Sequence, residues 1–423
     1  MNLKKFLGKD YFLFGIIILG IFIRIILLTL PSFKIDMTDW QAWASRLVEV
    51  SPIHFYATNY FSDYFPGYLY MLWFIGKSFT IFFPHTSIFS LGFEFYLKFF
   101  TNLFDLATAY YIYKIISNYK KSLSLLSAAL YLANPALIFN SSVWGQVDGI
   151  LTFFMVYSCY CLVELKRTYR FSIASTLSTL VKPQGLAIFP ITLIYLLTNF
   201  KYKKYFGLLF IPTLLIIFSL PFFLKDPILG LFHLFQNSTN TYPYTSMFSY
   251  NFWSFAGWWI PDTTKLFGVS YQILGIILYF ISLLLITLPL FKNKTYNNNL
   301  LFYFACALAS FAFFLFLTRI HQRYLFPFFA FLLISTFIMN SLKLKVLYLI
   351  LSLIHFINLL FVYYYYNFVY SNPKFSSFLI YRLLSESYNL FTTVNLLGFG
   401  VLLLIYYKLN HSLKIDAKNS SQT

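Results

Sequence analysis

Charge is what this sequence has least of. Asp, Glu, Lys and Arg together make up 10% of the 423 residues, against about 25% in a soluble globular chain. A water-soluble domain with a charged shell is therefore excluded. Acidic residues are the scarcer kind, 13 against 31 Lys and Arg, for a formal net charge of +18. In a soluble domain that excess would point to nucleic acid. Here the basic residues lie between long apolar runs such as 11–30 and 344–366, which assigns them to membrane loops and leaves no nucleic-acid surface. Cysteine is scarce too: Cys159, Cys161 and Cys306 all sit inside apolar runs, which argues against a disulfide framework and against a zinc site. Neither an internal repeat nor a low-complexity linker is visible. What remains is apolar and aromatic, 59% and 23% of the chain, with a mean hydropathy of +0.70. The sequence is that of an all-α polytopic membrane protein.

A crossing needs ~20 mostly apolar residues, and Lys and Arg collect on the cytoplasmic side. The first run, 11–30, follows Lys4, Lys5 and Lys9 and lacks a small-residue cleavage site, so it reads as a retained helix with a cytoplasmic amino terminus. Further clusters are Lys114/Lys120/Lys121, Lys166/Arg167/Arg170, Lys201/Lys203/Lys204, Lys292/Lys294, Lys343/Lys345 and Lys408/Lys414/Lys418; with the first they hold most of the basic residues. All can be cytoplasmic if two crossings separate each pair. The runs 93–116, 122–138, 149–165, 205–224, 271–291, 300–318, 324–341, 345–366 and 388–407 supply them. The run 65–83 reads as a helix in or dipping into the outer leaflet. Between Arg170 and Lys201 two short helices must break at Lys182-Pro183-Gln184 within the membrane, which is tolerated where the break lines a cavity. About twelve transmembrane helices follow, with both termini cytoplasmic in the plasma membrane. A module over 1–224 contains the outer loop 31–92, a second module covers 225–409 with an outer loop 225–270, and a polar tail from Asn410 is expected to be disordered.

This topology gathers the polar motifs on the outer face. Asp36, Asp39, Glu49 and Asp63 lie in the first outer loop; Trp144-Gly145-Gln146-Val147-Asp148 forms the next turn. Lys182 and Gln184 mark the broken hairpin. Tyr242 and Asn251 lie in the long aromatic loop, and Arg319-Ile320-His321-Gln322-Arg323-Tyr324 in the last outer turn. Ionisable groups at membrane depth are functional candidates by default. After Asp36, residues Trp40, Trp43, Ala44, Leu47 and Val48 fall at helical spacing, an amphipathic surface helix that holds Asp36 at a cavity rim. Each carboxylate has a plainer alternative, since Asp36, Asp39 and Asp63 could cap helices, and Gln146 and Asp148 could cap the helix that follows them. The aromatic loop reads equally as an interfacial anchor. Arg24 and Asp105, inside spans, could pair with each other or with backbone, and their roles are left unassigned. Lys182, Arg319, His321 and Arg323 read as a phosphate clamp, arginine giving bidentate donors and lysine a point charge.

The ordered set Asp36-x6-Trp43, Asp63-Tyr64-x-Pro66, WGQVD, KPQ and RIHQRYLFP resembles the GT-C superfamily of integral membrane glycosyltransferases that use polyprenyl-phosphate sugars. It is most similar to prokaryotic mannosyltransferase-like relatives of the second mannosyltransferase of GPI-anchor assembly. The motifs run from about residue 36 to 327. Two positions depart from the family pattern, Phe65 where a second proline is common and Gln322 where Glu is common. The resemblance implies a GT-C fold, with Asp36 as catalytic base and Lys182, Arg319, His321 and Arg323 on the donor phosphate.

Such a set would carry out inverting transfer of a sugar, mannose by family default, to a lipid-linked or cell-envelope glycan acceptor. Asp39, Asp63, Tyr64, Trp144, Gln146, Asp148, Gln184, Tyr242 and Asn251 are the expected substrate contacts. Membrane lipids are the remaining partner. The donor carries one phosphate and the protein supplies positive charge, so neither metal nor other cofactor is expected. The rival reading is a lipid-linked oligosaccharide flippase, which predicts charge spread through the membrane depth and two similar halves.

Overall fold

The computed structural model describes residues 3–56, 60–292 and 298–420; Lys294, expected in a cytoplasmic cluster, lies outside them. The first half comprises α1 (Leu3–Leu27), α2 (Lys34–Val50), α3 (Pro66–Phe82), α4 (Leu91–Leu132), α5 (Pro135–Ile138), α6 (Asp148–Val163), α7 (Thr168–Val181), α8 (Phe189–Asn199), α9 (Phe210–Ser219) and α10 (Pro227–Asn240). After an irregular loop come α11 (Tyr271–Lys292), α12 (Asn298–Phe316), α13 (Phe326–Met339), α14 (Leu342–Tyr364), α15 (Leu379–Glu386) and α16 (Tyr388–Ser420). The only strands among the described residues are two-residue pieces: β1 (Ser246–Met247) pairs in parallel with β4 (Ile320–His321), and β2 (Lys265–Leu266) with β3 (Val269–Ser270).

By length and composition, 6 helical stretches among the described residues can cross a bilayer: Tyr202–Ser219, Tyr271–Phe291, Asn299–Phe316, Gln322–Met339, Leu342–Val369 and Tyr388–Ser412. Leu91–Leu132 and Pro135–Trp144, meeting at a 47° bend, make up to 7, and Phe14–Leu27 and Asp148–Val163 are shorter apolar helices. The chain is an all-α, multi-pass membrane protein. Apolar side chains such as Ile217, Phe280 and Leu284 point outward, as a lipid solvent permits. α13 is buried on every side, the pattern of a helix at the centre of a bundle.

The sequence places a turn at Lys120, and there the structure breaks the helix: Lys120 has φ −144° and ψ 70°. The guanidinium of Arg24 reaches both Asp105 and the Leu132 carbonyl, although a straight helix would hold those two about 40 Å apart. The chain therefore reverses at Lys120 and runs back alongside itself. Arg24 and Asp105 do pair, at 2.7 Å and fully buried. At the other end of the chain, α16 continues through Asn410 to Ser420; the polar tail is helical where disorder was expected.

α2 buries Met37, Trp40, Trp43, Ala44 and Leu47 and packs on α3. α3 in turn meets the end of α7 so closely that a Cβ on Gly67 would lie 2.6 Å from the Leu180 backbone. That contact sets Asp63 and Tyr64 beside Lys182. Lys182 itself is extended (φ −151°, ψ 138°), as the residue before a proline must tend to be, so α7 ends there and a 3-10 turn, Pro183–Ile188, leads into α8.

Candidate functional site

Asp36 stands in the first turn of α2, and no side chain caps that helix. α3 likewise begins without a side-chain cap, so Asp63 is not one, and Asp39 lies inside α2 beyond its N-cap. Asp148 is not the N-cap of α6 either, since that place is Val147's. The capping alternative is thus removed for the four carboxylates, whereas the Gln146 oxygen does meet the start of α6, accepting from the Val147 N–H at 3.3 Å.

Asp36, Gln146 and Asp148 are tied into one network instead. Oδ2 of Asp36 accepts a hydrogen bond from the Trp144 indole at 2.8 Å and another from the Gln146 amide, and Arg323 Nη1 stands 3.9 Å away. Among the described residues Oδ1 of Asp36 takes no hydrogen bond, which leaves it open to a substrate. The Gln146 oxygen accepts from Lys182 Nζ at 3.3 Å, and Lys182 Nζ is 2.7 Å from Asp148. A continuous line therefore runs Asp36–Gln146–Lys182–Asp148. Gly145, at φ +88°, supplies the left-handed turn between Trp144 and Gln146, a backbone form that other residues adopt only under strain. Phe33 stacks on Trp144 with ring centroids 4.2 Å apart and fixes the indole from behind.

Two adjoining cavities flank this line. The larger, about 300 Å³, is lined by Lys182, Gln184, Arg319 and Tyr324 together with apolar groups such as Phe235, Phe313 and Leu317. The smaller, about 100 Å³, is lined by Asp36, Asp39, Trp40, Trp43, Trp259, Gln322 and Tyr366. Asp63, Tyr64, Tyr242, Met247, His321 and Arg323 face both. The aromatic loop thus contributes Tyr242 and Trp259 to cavity walls, whereas Trp258 packs against Phe361 and Tyr388.

His321 is held by β4 and by an edge contact with Tyr242, 5.4 Å between centroids. Burial, then the cations of Arg323 and Lys182, push its imidazole well below the usual range, so the ring is neutral near pH 7. Its Nδ1 is 3.4 Å from Arg323 Nη1. Arginine can only donate, so Nδ1 accepts and Nε2 carries the proton. The phosphate clamp read from sequence as a set of cations is therefore part cation, part neutral donor. Asp39 is pushed up to about 6 by burial, then by Asp36 and Asp63; Asp63 is raised chiefly by burial.

Trp144, Gln146 and Asp148, expected as substrate contacts, are buried and line neither cavity, standing behind Asp36 and Lys182 instead; Asn251 and Arg319 are also engaged otherwise than expected. Asn251 is buried, lines neither cavity and donates to the Phe314 carbonyl at 3.2 Å. Arg319 reaches the larger cavity but its guanidinium is engaged by Asp262 at 2.7 Å, the Thr239 carbonyl and Asn240. Asp262, Trp259 and Tyr366 were not legible as site residues. Asp262 carried one signal, being the only carboxylate between Asp226 and Glu386. Among the described residues no three His, Cys, Asp or Glu side chains come together as a metal-ligand set.

Against known proteins, no family model matches the chain and no characterised protein matches its sequence.

Proposed function

We propose that the protein is an inverting glycosyltransferase moving a monosaccharide, mannose by preference, from a polyprenyl-phosphate donor to a lipid-linked or envelope glycan acceptor on the extracytoplasmic face. The observation that carries this reading is the position of Asp36. Asp36 lines the smaller, aromatic-walled cavity, and Arg323 and His321, which face both cavities, stand between it and the larger, cationic one. The donor phosphate would occupy the larger cavity, with its lipid tail against Phe235, Phe313 and Leu317.

In the transfer, Oδ1 of Asp36 takes the proton of an acceptor hydroxyl while that oxygen bonds to C1 of the donor sugar. The C1–O(phosphate) bond breaks on the opposite face and its electron pair leaves with polyprenyl phosphate. Arg323, Lys182 and the Nε2–H of His321 receive the charge that grows on the phosphate. Trp144 and Gln146 orient the carboxylate. Protein groups thus supply the positive charge, and the reading calls on no metal ion. A GT-C arrangement of about twelve crossings in the plasma membrane, both termini cytoplasmic, accords with the reversal at Lys120 and the break at Lys182.

The test is to incubate the protein in nanodiscs with radiolabelled polyprenyl-phosphate mannose and glucose and a native lipid extract, and to follow release of polyprenyl phosphate. Release by the wild type and loss of it in Asp36→Asn is expected, with the faster donor naming the sugar. Folded wild type that turns over neither donor overturns the reading and favours lipid-linked oligosaccharide transport.

A further inference from the structure

The two cavities differ in charge. Lys182 and Arg319 belong to the larger alone, Asp36 and Asp39 to the smaller alone, and Asp63 and Arg323 face both. The smaller cavity therefore confronts a ligand with three carboxylates and a single guanidinium. That guanidinium already serves Asp36 and His321. Burial, then the neighbouring Asp36 and Asp63, raise Asp39.

Carboxylates alone make no binding site, but two further observations point to a ligand here. Gln322 is 1% exposed and lines the smaller cavity, yet its buried Oε1 meets no hydrogen-bond partner among the described residues. The Nε of Arg323, 8% exposed, is unpartnered in the same way. Folded interiors leave few polar atoms unmet, and an acceptor and a donor beside one small cavity are what a polyhydroxylated ligand would satisfy. Trp40, Trp43, Trp259 and Tyr366 add flat apolar walls, which suit the C–H face of a sugar ring.

We infer that the smaller cavity takes the end of the acceptor glycan, and that this end carries no negative charge: a neutral sugar enters, while a uronic acid or a phosphate-capped sugar is rejected. The inference rests on the glycosyltransferase reading and specifies its acceptor class. The rejection is electrostatic, because an anionic sugar would sit beside the acidic groups of Asp36, Asp39 and Asp63 in a water-poor site where like charges repel strongly.

The experiment titrates nanodisc-embedded protein near neutral pH with methyl mannoside, methyl glucuronide and mannose 6-phosphate, reading tryptophan fluorescence. In parallel, polyprenyl phosphate release is measured with glycolipid acceptors ending in a neutral or a uronic residue. The neutral glycoside should bind at least about tenfold more tightly than either anion. Asp39→Asn should narrow that ratio and Gln322→Glu should widen it. Equal binding of neutral and anionic sugars, no binding of any, or an unchanged ratio in both variants overturns the inference. Discrimination without donor consumption keeps a neutral-sugar site and removes the glycosyltransferase reading. Donor consumption with uronic acceptors used as readily does the reverse.

Discussion

The indole nitrogen of Trp144 donates to Oδ2 of Asp36 over 2.8 Å, across 108 positions of the chain. One residue comes from the first turn of a surface helix, the other from the turn before α6. Together with Gln146 the indole occupies one oxygen of the carboxylate and leaves the other without a hydrogen bond among the described residues.

On the proposed glycosyltransferase reading, replacing Asp36 should abolish transfer while leaving the fold. For Asp36→Asn the expected loss in kcat is about 10²–10⁴, with the thermal midpoint near that of the wild type. Trp144→Phe keeps the stacking on Phe33 but deletes the indole donor. It should lower kcat roughly tenfold with the donor KM unchanged; unaltered kcat would show that the indole does not position the base.

Lys182 and Asp148 are both buried, 6% and 1% exposed, and 2.7 Å apart. Lys182→Met strands the Asp148 carboxylate in the interior and should cost about 3–5 kcal/mol. The double variant Lys182→Met/Asp148→Asn should regain most of that stability, because no charge is left unpaired. If Lys182 meets the donor phosphate as proposed, activity should not return with it, since that charge is gone. Thermal denaturation in detergent beside a donor-release assay separates the two effects.

Arg319 ties the outer loop to the turn before α13 through Asp262, which is fully buried. If holding the loop is its role, Asp262→Asn should reproduce Arg319→Gln, both exposing residues 241–270 to limited proteolysis. If Arg319 instead grips the donor phosphate, Asp262→Asn should leave the donor KM intact while Arg319→Gln raises it. The structure favours the first outcome.

Asp39 gives a pH signature with a definite sign. Its carboxyl is raised from 3.8 to about 6, so between those values the folded protein holds more protons than the unfolded chain. Stability should therefore be highest in acid with respect to this group and decline as pH rises from about 4 to 6, then level off. Asp39→Asn should flatten that slope in a thermal-midpoint profile. A slope of the same size in the variant would assign it to another group.

Much of the architecture could be read in advance. The Arg24–Asp105 pair, the turn at Lys120, the break at Lys182-Pro183 and the apolar stripe of α2 each follow from a local rule: a lone intramembrane charge needs a partner, basic residues mark loops, proline ends a helix, and spacing defines a face. Asp36, Lys182, His321 and Arg323 stood out because charge is rare in this chain. Trp259 and Tyr366 did not, being two aromatics among many, and only their approach to Asp36 distinguishes them. The salt bridge of Arg319 to Asp262 spans 57 positions and occupies a guanidinium that sequence reasoning had assigned to a phosphate.

Composition and run length by themselves determined that this is a multi-pass helical membrane protein with its rare charges in a few motifs, because insertion of a helix depends on its own ~20 residues. Only the tertiary structure decided that His321 is neutral, that Gln146 bridges Asp36 to Lys182, and that acidic and basic groups are sorted into two cavities. Those properties depend on which groups become neighbours at a few ångströms in a water-poor interior, where Coulomb and desolvation terms are large and vary with distance, and no spacing along the chain specifies such distances.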